Sequence, residues 1–211
     1  MTPVRAMTAT LRPGINIYTR AIDGVTGMMA ATGAAPPLRD VAREIAVPLD
    51  QLRRVFPDEC ALLAAMAENA MLLLHHTFIE VITRVDPDDP VAQFTALADA
   101  YVEWGVRYPR EFRVIGQMPA SIFEANAQLL RYEQSIHELM LKILQRGREL
   151  GLVSAGGDLQ TFISLAHTYA YGVVSKMLMG DLARWNPGMT DREAARHNLH
   201  VFIQQFLRVG A

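Results

Sequence analysis

The 211-residue sequence predicts an all-α protein, and three observations carry that prediction. Apolar residues recur at spacings of three and four, the repeat of one helix face, and no stretch of any length alternates as a strand would. Prolines and glycines stand where helices start and stop, not where hairpins turn. Apolar residues make up 51% of the chain, enough to bury one substantial core or a small module plus a larger one.

Taken in order, the first helix is expected over 15–32, ended by Gly33, which suits a left-handed C-terminal cap. Pro36 and Pro37 reset the direction for a second helix over 38–45, and a third covers 49–55. Pro57, with Asp58 as N-cap, opens a long fourth helix reaching about residue 83. A turn at 86–90 leads into helices over 91–107, 110–117, 121–150, 158–179 and 192–209. Within 121–150, Ile136, Leu139, Met140, Ile143, Leu144 and Leu150 form one apolar stripe, closed by Gly151.

In the next helix Leu159, Phe162, Ile163, Ala166, Ala170, Val173 and Met177 make a second stripe. There Leu165, Tyr169, Tyr171, Val174 and Leu178 spread apolar surface round the rest, and a surface that wide calls for two partners. Thr190 and Glu193 read as a capping box for the last helix, whose stripe is Ala195, Leu199, Phe202, Ile203 and Phe206. The expected division is a module over 1–60 and a larger helical domain over 61–211.

Residues 37–63, PLRDVAREIAVPLDQLRRVFPDECALL, are the most specific stretch. Val41, Ile45, Val47, Leu52 and Val55 are apolar at the offsets that let two short helices close across a tight turn, and Ala42 is small where they cross. This is a helix-turn-helix pattern, and it makes double-stranded DNA the first partner to consider. The net charge of −2 provides no overall attraction to nucleic acid, so binding needs local positive charge. Residues 1–57 carry seven arginines, Arg5 and Arg12 among them, against four carboxylates, a net of +3 that leaves −5 for the remainder. The preference for arginine over lysine, which occurs only at 142 and 176, is read as compositional bias.

On the third helix Leu49, Asp50, Gln51, Arg53 and Arg54 lie away from the Val47, Leu52, Val55, Phe56 face. Gln51 suits adenine, an arginine suits guanine, and Asp50 can accept from cytosine N4. On an isolated helix of seven residues such side chains would merely be solvated; the helix-turn-helix setting favours base contact. Arg39 and Arg43 on the second helix are candidates for backbone contact.

Other chemistry has little support. The single cysteine, Cys60, excludes an internal disulfide, suits a reducing cytosol and is expected to be small apolar filler. His75 and His76 are adjacent on a helix and diverge by about 100°, too far to share one ion. His197 and His200 have workable spacing but no acidic or cysteine partner nearby in sequence, and structural zinc takes four ligands. With no phosphate loop, nucleophile elbow or dinucleotide fingerprint, the expectation is no enzyme, no metal and no cofactor. Residues 1–14 lack the apolar run of a secretory signal. Residues 159–180, the least charged stretch, are too polar for a membrane span, so a cytoplasmic protein is expected.

The arrangement resembles the TetR family of helical transcriptional regulators. The likeness is clearest over 20–64, in Gly33, Val41-Ala42, the short helix from Val47 to Val55, and the Phe56-Pro57 step. The segments AYVEWGVRYPREFRVI at 100–115 and AYGVVSKML at 170–178 are similar, more weakly, to a common type of effector and dimerisation domain of that family. The resemblance implies a homodimer whose third helices enter major grooves of a partly palindromic operator, joined through a four-helix bundle made by the last two helices of each subunit.

Several positions depart from the family pattern. Ala46 replaces the usual turn glycine, at a cost of about 1 kcal/mol if its backbone is left-handed. Pro48 stands where a hydroxyl usually caps the third helix, and Pro37 displaces another hydroxyl at the second. Arg53 takes the place of a phosphate-contacting tyrosine, and Glu59 that of a lysine that commonly grips phosphate. An effector pocket belongs in the C-terminal helices, since the N-terminal module is too small to enclose one. Tyr101, Trp104, Phe112, Met118, His137, Met140, His167, Tyr171 and Met177 are candidates to line it, favouring a small apolar or aromatic effector with a histidine as polar anchor. The leading expectation is therefore a ligand-responsive repressor. The alternative is a dimer of the same fold with weakened or lost DNA binding, serving to bind a ligand or partner.

Overall fold

The computed structural model describes residues 13–153 and 157–206, with side chains over 17–153 and 157–205. Arg5, Arg12, the Phe206 side chain and the end of the last predicted helix lie outside the described residues. Ten α-helices and no strand occur among those described: α1 Pro13–Thr32, α2 Leu38–Glu44, α3 Leu49–Val55, α4 Glu59–Ile82, α5 Pro90–Arg107, α6 Pro109–Gln117, α7 Ala120–Glu124, α8 Ala127–Glu149, α9 Leu159–Leu178 and α10 Asp191–Phe206. A single turn of 3-10 helix, Ala183–Trp185, precedes α10. The chain divides into compact units over 1–66 and 67–211, with the division inside α4. That helix is the one among the described residues long and apolar enough to cross a membrane, but half of its apolar window is buried inside the protein, as in a core helix.

The smaller unit closes around α1. Ala21, Ile22, Val25 and Met29 of α1, Leu38, Val41 and Ala42 of α2, Ile45 after it, Leu52 of α3 and Phe56 beyond are all buried. The Tyr18 and Phe56 rings stack at 5.3 Å. The Arg20 guanidinium donates to the Ile45 carbonyl and so holds the end of α2 against α1. Asp58 caps α4 as expected, its Oδ1 accepting the Ala61 N–H at 2.8 Å.

Between α2 and α3 the backbone at Ala46 is left-handed, with φ of 51°. A Cβ is crowded there against its own carbonyl, which costs roughly 1–2 kcal/mol, less the entropy that glycine adds to the unfolded chain. Ala46→Gly is therefore expected to stabilise the protein by about 1 kcal/mol, read as a rise in the denaturant midpoint at unchanged m.

In the larger unit α5 lies among α8, α9 and α10. Phe94, Leu97, Val102 and Trp104 of α5 pack with Leu144 of α8, Ile163 and Val174 of α9, and Ala194, Ala195 and Leu199 of α10. The α5 and α9 backbones come close at Gly105, where an added Cβ would stand 2.5 Å from the Val174 side chain. A charged strap also joins α5 to α10. Arg192 Nε donates to Glu103 at 2.8 Å, Arg196 to the same carboxylate at 2.8 Å, and His200 meets Asp99 at 2.9 Å. The capping box at α10 forms, with Glu193 accepting from the Thr190 N–H and the Glu193 N–H donating back to the Thr190 hydroxyl.

Three expectations are corrected. The single helix over 121–150 is two, broken at Ala125 and Asn126. Asn126 leaves helical geometry to cap α8, accepting from the Gln128 and Leu129 N–H groups, while its amide donates to Glu68 at 2.8 Å. Leu150, assigned to the core stripe of that helix, is half exposed at its C-terminal end. Cys60 is exposed on the first turn of α4 and is not core filler.

Candidate functional site

The first site is the surface of α2 and α3. Pro37 and Pro48 precede these helices with extended backbones and offer no side-chain cap. At α2 one of the free N–H groups finds an acceptor from elsewhere: Glu59 Oε1 accepts the Leu38 N–H at 3.0 Å. The carboxylate that the sequence marks as hostile to phosphate thus satisfies an orphan donor at a helix start, where the dipole also favours negative charge. The Leu38 N–H, then the Glu59 N–H, with the charge of Arg53 adding to them, hold its pKa below the usual glutamate range against the opposing effect of burial.

A depressed carboxyl pKa contributes stability that is present above the unfolded-state value and lost as pH falls through the folded one. Glu59→Gln is expected to destabilise the protein at pH 7, with the difference from wild type shrinking as pH falls below about 4.5. Paired denaturant titrations across that range check it.

Leu52, fully buried, and Phe56 fasten α3 to its module, and the opposite face is open. Pro48, Asp50, Gln51, Arg53 and Arg54 are exposed there and Leu49 is half-buried. On α2 the exposed Arg39 and Arg43 flank Asp40, with Arg43 at 3.1 Å and Arg39 at 3.9 Å from the same carboxylate oxygen. All eight residues singled out for DNA contact thus lie on or beside two helices of one small unit, with four arginines on its surface.

The second site is a cavity of about 770 Å³ in the larger unit. Tyr101, Trp104, Phe112, His137, Met140, His167 and Tyr171 line it; Met118 and Met177 do not. Met118 ends α6 half-buried, and Met177 turns into the packed core. Aromatic rings form a continuous wall: Tyr101 stacks on Trp104 at 5.9 Å, Trp104 meets Phe112 at 5.8 Å, and Phe112 stacks on Tyr171 at 5.2 Å. Tyr171 sits so close to α6 that a Cβ on Gly116 would lie 2.0 Å from its hydroxyl.

Burial, with the neighbouring Tyr171, raises the Tyr101 phenol well above the tyrosine range. It is therefore a neutral hydrogen-bonding group at any ordinary pH. The Trp104 N–H is buried without a partner. His137 meets Gln160 at 2.5 Å.

Sequence reasoning missed Phe78, Phe94, Phe123, Glu124, Glu133 and Phe202, which also line the cavity. Phe94 lies on the buried face of α5, and helix periodicity alone does not tell a core phenylalanine from one bordering a void. Glu124 ends α7 and Glu133 lies in α8, and nothing in their residue type or spacing assigns them to a cavity. No group of three or more histidine, cysteine, aspartate or glutamate side chains suited to a metal occurs among the described residues. His200 is engaged by Asp99 of α5, a partner distant in sequence, and His75 by Ser135.

No protein-family profile and no curated protein matches the sequence. Solved structures do match the fold. The ketosteroid transcriptional regulator KstR2 of Mycobacterium tuberculosis is 15% identical, with 96% of this chain and 98% of that one covered at a TM-score of 0.70. The fatty acid degradation regulator FadR from Bacillus halodurans is 15% identical, with 90% and 100% covered at 0.71. The TetR family transcriptional regulator PfmR from Thermus thermophilus is 19% identical, with 90% and 97% covered at 0.66. These likenesses span nearly the whole of each chain, and they establish the fold.

Proposed function

From the premise that this chain has the TetR-family fold, we propose that it is a ligand-responsive transcriptional regulator, a repressor, that binds a partly palindromic operator as a cytoplasmic homodimer and has no catalytic role. The observation that carries the reading is the pairing of an exposed α3 bearing Gln51, Arg53 and Arg54 with a large apolar cavity in the other unit. Gln51, Arg53 and Arg54 read base edges or phosphates, Arg39 and Arg43 hold the DNA backbone, and Pro48, Leu49 and Asp50 border the contact. A small apolar or aromatic effector fills the cavity and favours a state in which the two α3 helices leave the roughly 34–36 Å spacing of one DNA turn. The dimer forms through α9 and α10, where Leu165, Tyr169 and Val201 are apolar yet more than a third exposed in the single chain.

Fluorescence anisotropy of labelled DNA flanking the protein's own gene, titrated at several salt concentrations, tests the reading. Binding at low salt that weakens steeply and log-linearly with salt is expected. No binding at low salt, or binding indifferent to salt, overturns it.

Glu59 favours a second reading, a dimer of this fold that no longer binds DNA and serves as a ligand or partner binder. A carboxylate stands at the start of α4, where the family resemblance puts a phosphate-gripping lysine. If wild type shows no binding while Glu59→Lys combined with Pro37→Ser restores it, the second reading holds.

A further inference from the structure

We infer that the cavity of the larger unit selects an amphipathic organic cation: an aromatic or polycyclic body with a protonated amine or quaternary ammonium at one end. This rests on the reading of the cavity as an effector site and specifies the class of molecule it takes. The lining is asymmetric in charge. Glu124 of α7 and Glu133 of α8 both border the cavity and are exposed, so they stand at its mouth. Among the described residues no lysine or arginine lines it, and neither glutamate has an ion-pair partner. Two uncompensated carboxylates beside an apolar hole raise the local concentration of cations and repel anions.

The interior agrees with such a ligand. Its walls include the aromatic side chains of Tyr101, Trp104, Phe112 and Tyr171, a lining that suits a flat, apolar or cationic body. Trp104 belongs to that lining and is only 2% exposed. His137 and His167 also border the cavity, and His137 is engaged by Gln160. A fatty-acid carboxylate or a phosphate-bearing thioester would face the two glutamates with no lysine or arginine among the described lining residues to neutralise it.

Three probes with one naphthyl body test the inference at pH 8: 2-(2-naphthyl)ethylamine, 2-(2-naphthyl)ethanol and 2-naphthylacetate, each titrated calorimetrically into the intact protein. The amine is expected to bind about tenfold more tightly than the acetate, with the alcohol between them. In the Glu124→Gln, Glu133→Gln double variant the amine should fall to the affinity of the alcohol, whose own binding stays unchanged. If the alcohol binds but the acetate matches or exceeds the amine, the charge selection is wrong while the cavity remains an effector site. Charge selection by these two glutamates is equally overturned if the amine's advantage survives in the double variant. If none of the three binds at millimolar concentration, both the inference and the effector reading fall.

Discussion

Replacing Arg53 and Arg54 together with alanine is expected to lower operator affinity at least about 30-fold while leaving the melting temperature within a degree or two. Each arginine that contacts a base or phosphate contributes roughly 1–3 kcal/mol, so the pair exceeds about 2 kcal/mol even at the low end. Both side chains are exposed, and α3 is anchored by Leu52 and Phe56 instead, so the fold has little reason to respond. The anisotropy assay distinguishes the two roles. A residue that holds phosphate reduces the salt slope by about one and weakens all sequences alike, whereas one that reads a base relaxes preference at a single position. Unchanged affinity in the double variant would remove α3 from the interface.

Trp104→Ala is expected to destabilise the larger unit by about 3–5 kcal/mol, the range for deleting a large buried aromatic side chain. Trp104 is 2% exposed and packs between Tyr101 and Phe112. Its neighbours already border a cavity of about 770 Å³, and the new space adds to it. Trp104→Phe should cost far less, because it keeps a ring in the aromatic wall and removes a buried N–H that has no partner. Chemical denaturation of the two variants checks the contrast, and equal losses would show that the indole nitrogen is not a burden to the apo protein.

The helix-turn-helix was legible because its determinants are local. The offsets of Val41, Ile45, Leu52 and Val55, the left-handed turn at Ala46 and the Asp58 cap all act within a few residues, and α2 and α3 run over Leu38–Glu44 and Leu49–Val55. What the sequence concealed depends on residues far apart. Asn126 breaks the helix expected over 121–150 through a cap and a bond to Glu68, 58 positions earlier. Glu124 lies just before that break and Glu133 beyond it, and both line the cavity. Met177, grouped with the cavity by residue type, belongs to the packed side of α9. His200, judged to lack an acidic partner on sequence proximity, has one in Asp99, 101 positions away.

Glu59 and Pro37 act on the same helix start, because the carboxylate accepts the first N–H of α2 while Pro37 offers no side-chain cap to the next ones. Substitution at either position alone therefore measures two things at once. Introducing lysine at 59 reverses the charge there and strips the Leu38 N–H of its acceptor, whereas a hydroxyl at 37 would cap the N–H groups that follow and leave the bond to Glu59 in place. Because both act on the start of one seven-residue helix, the effect of either depends on the other. The two single variants and their combination, compared in a double-mutant cycle, would show that dependence as non-additivity.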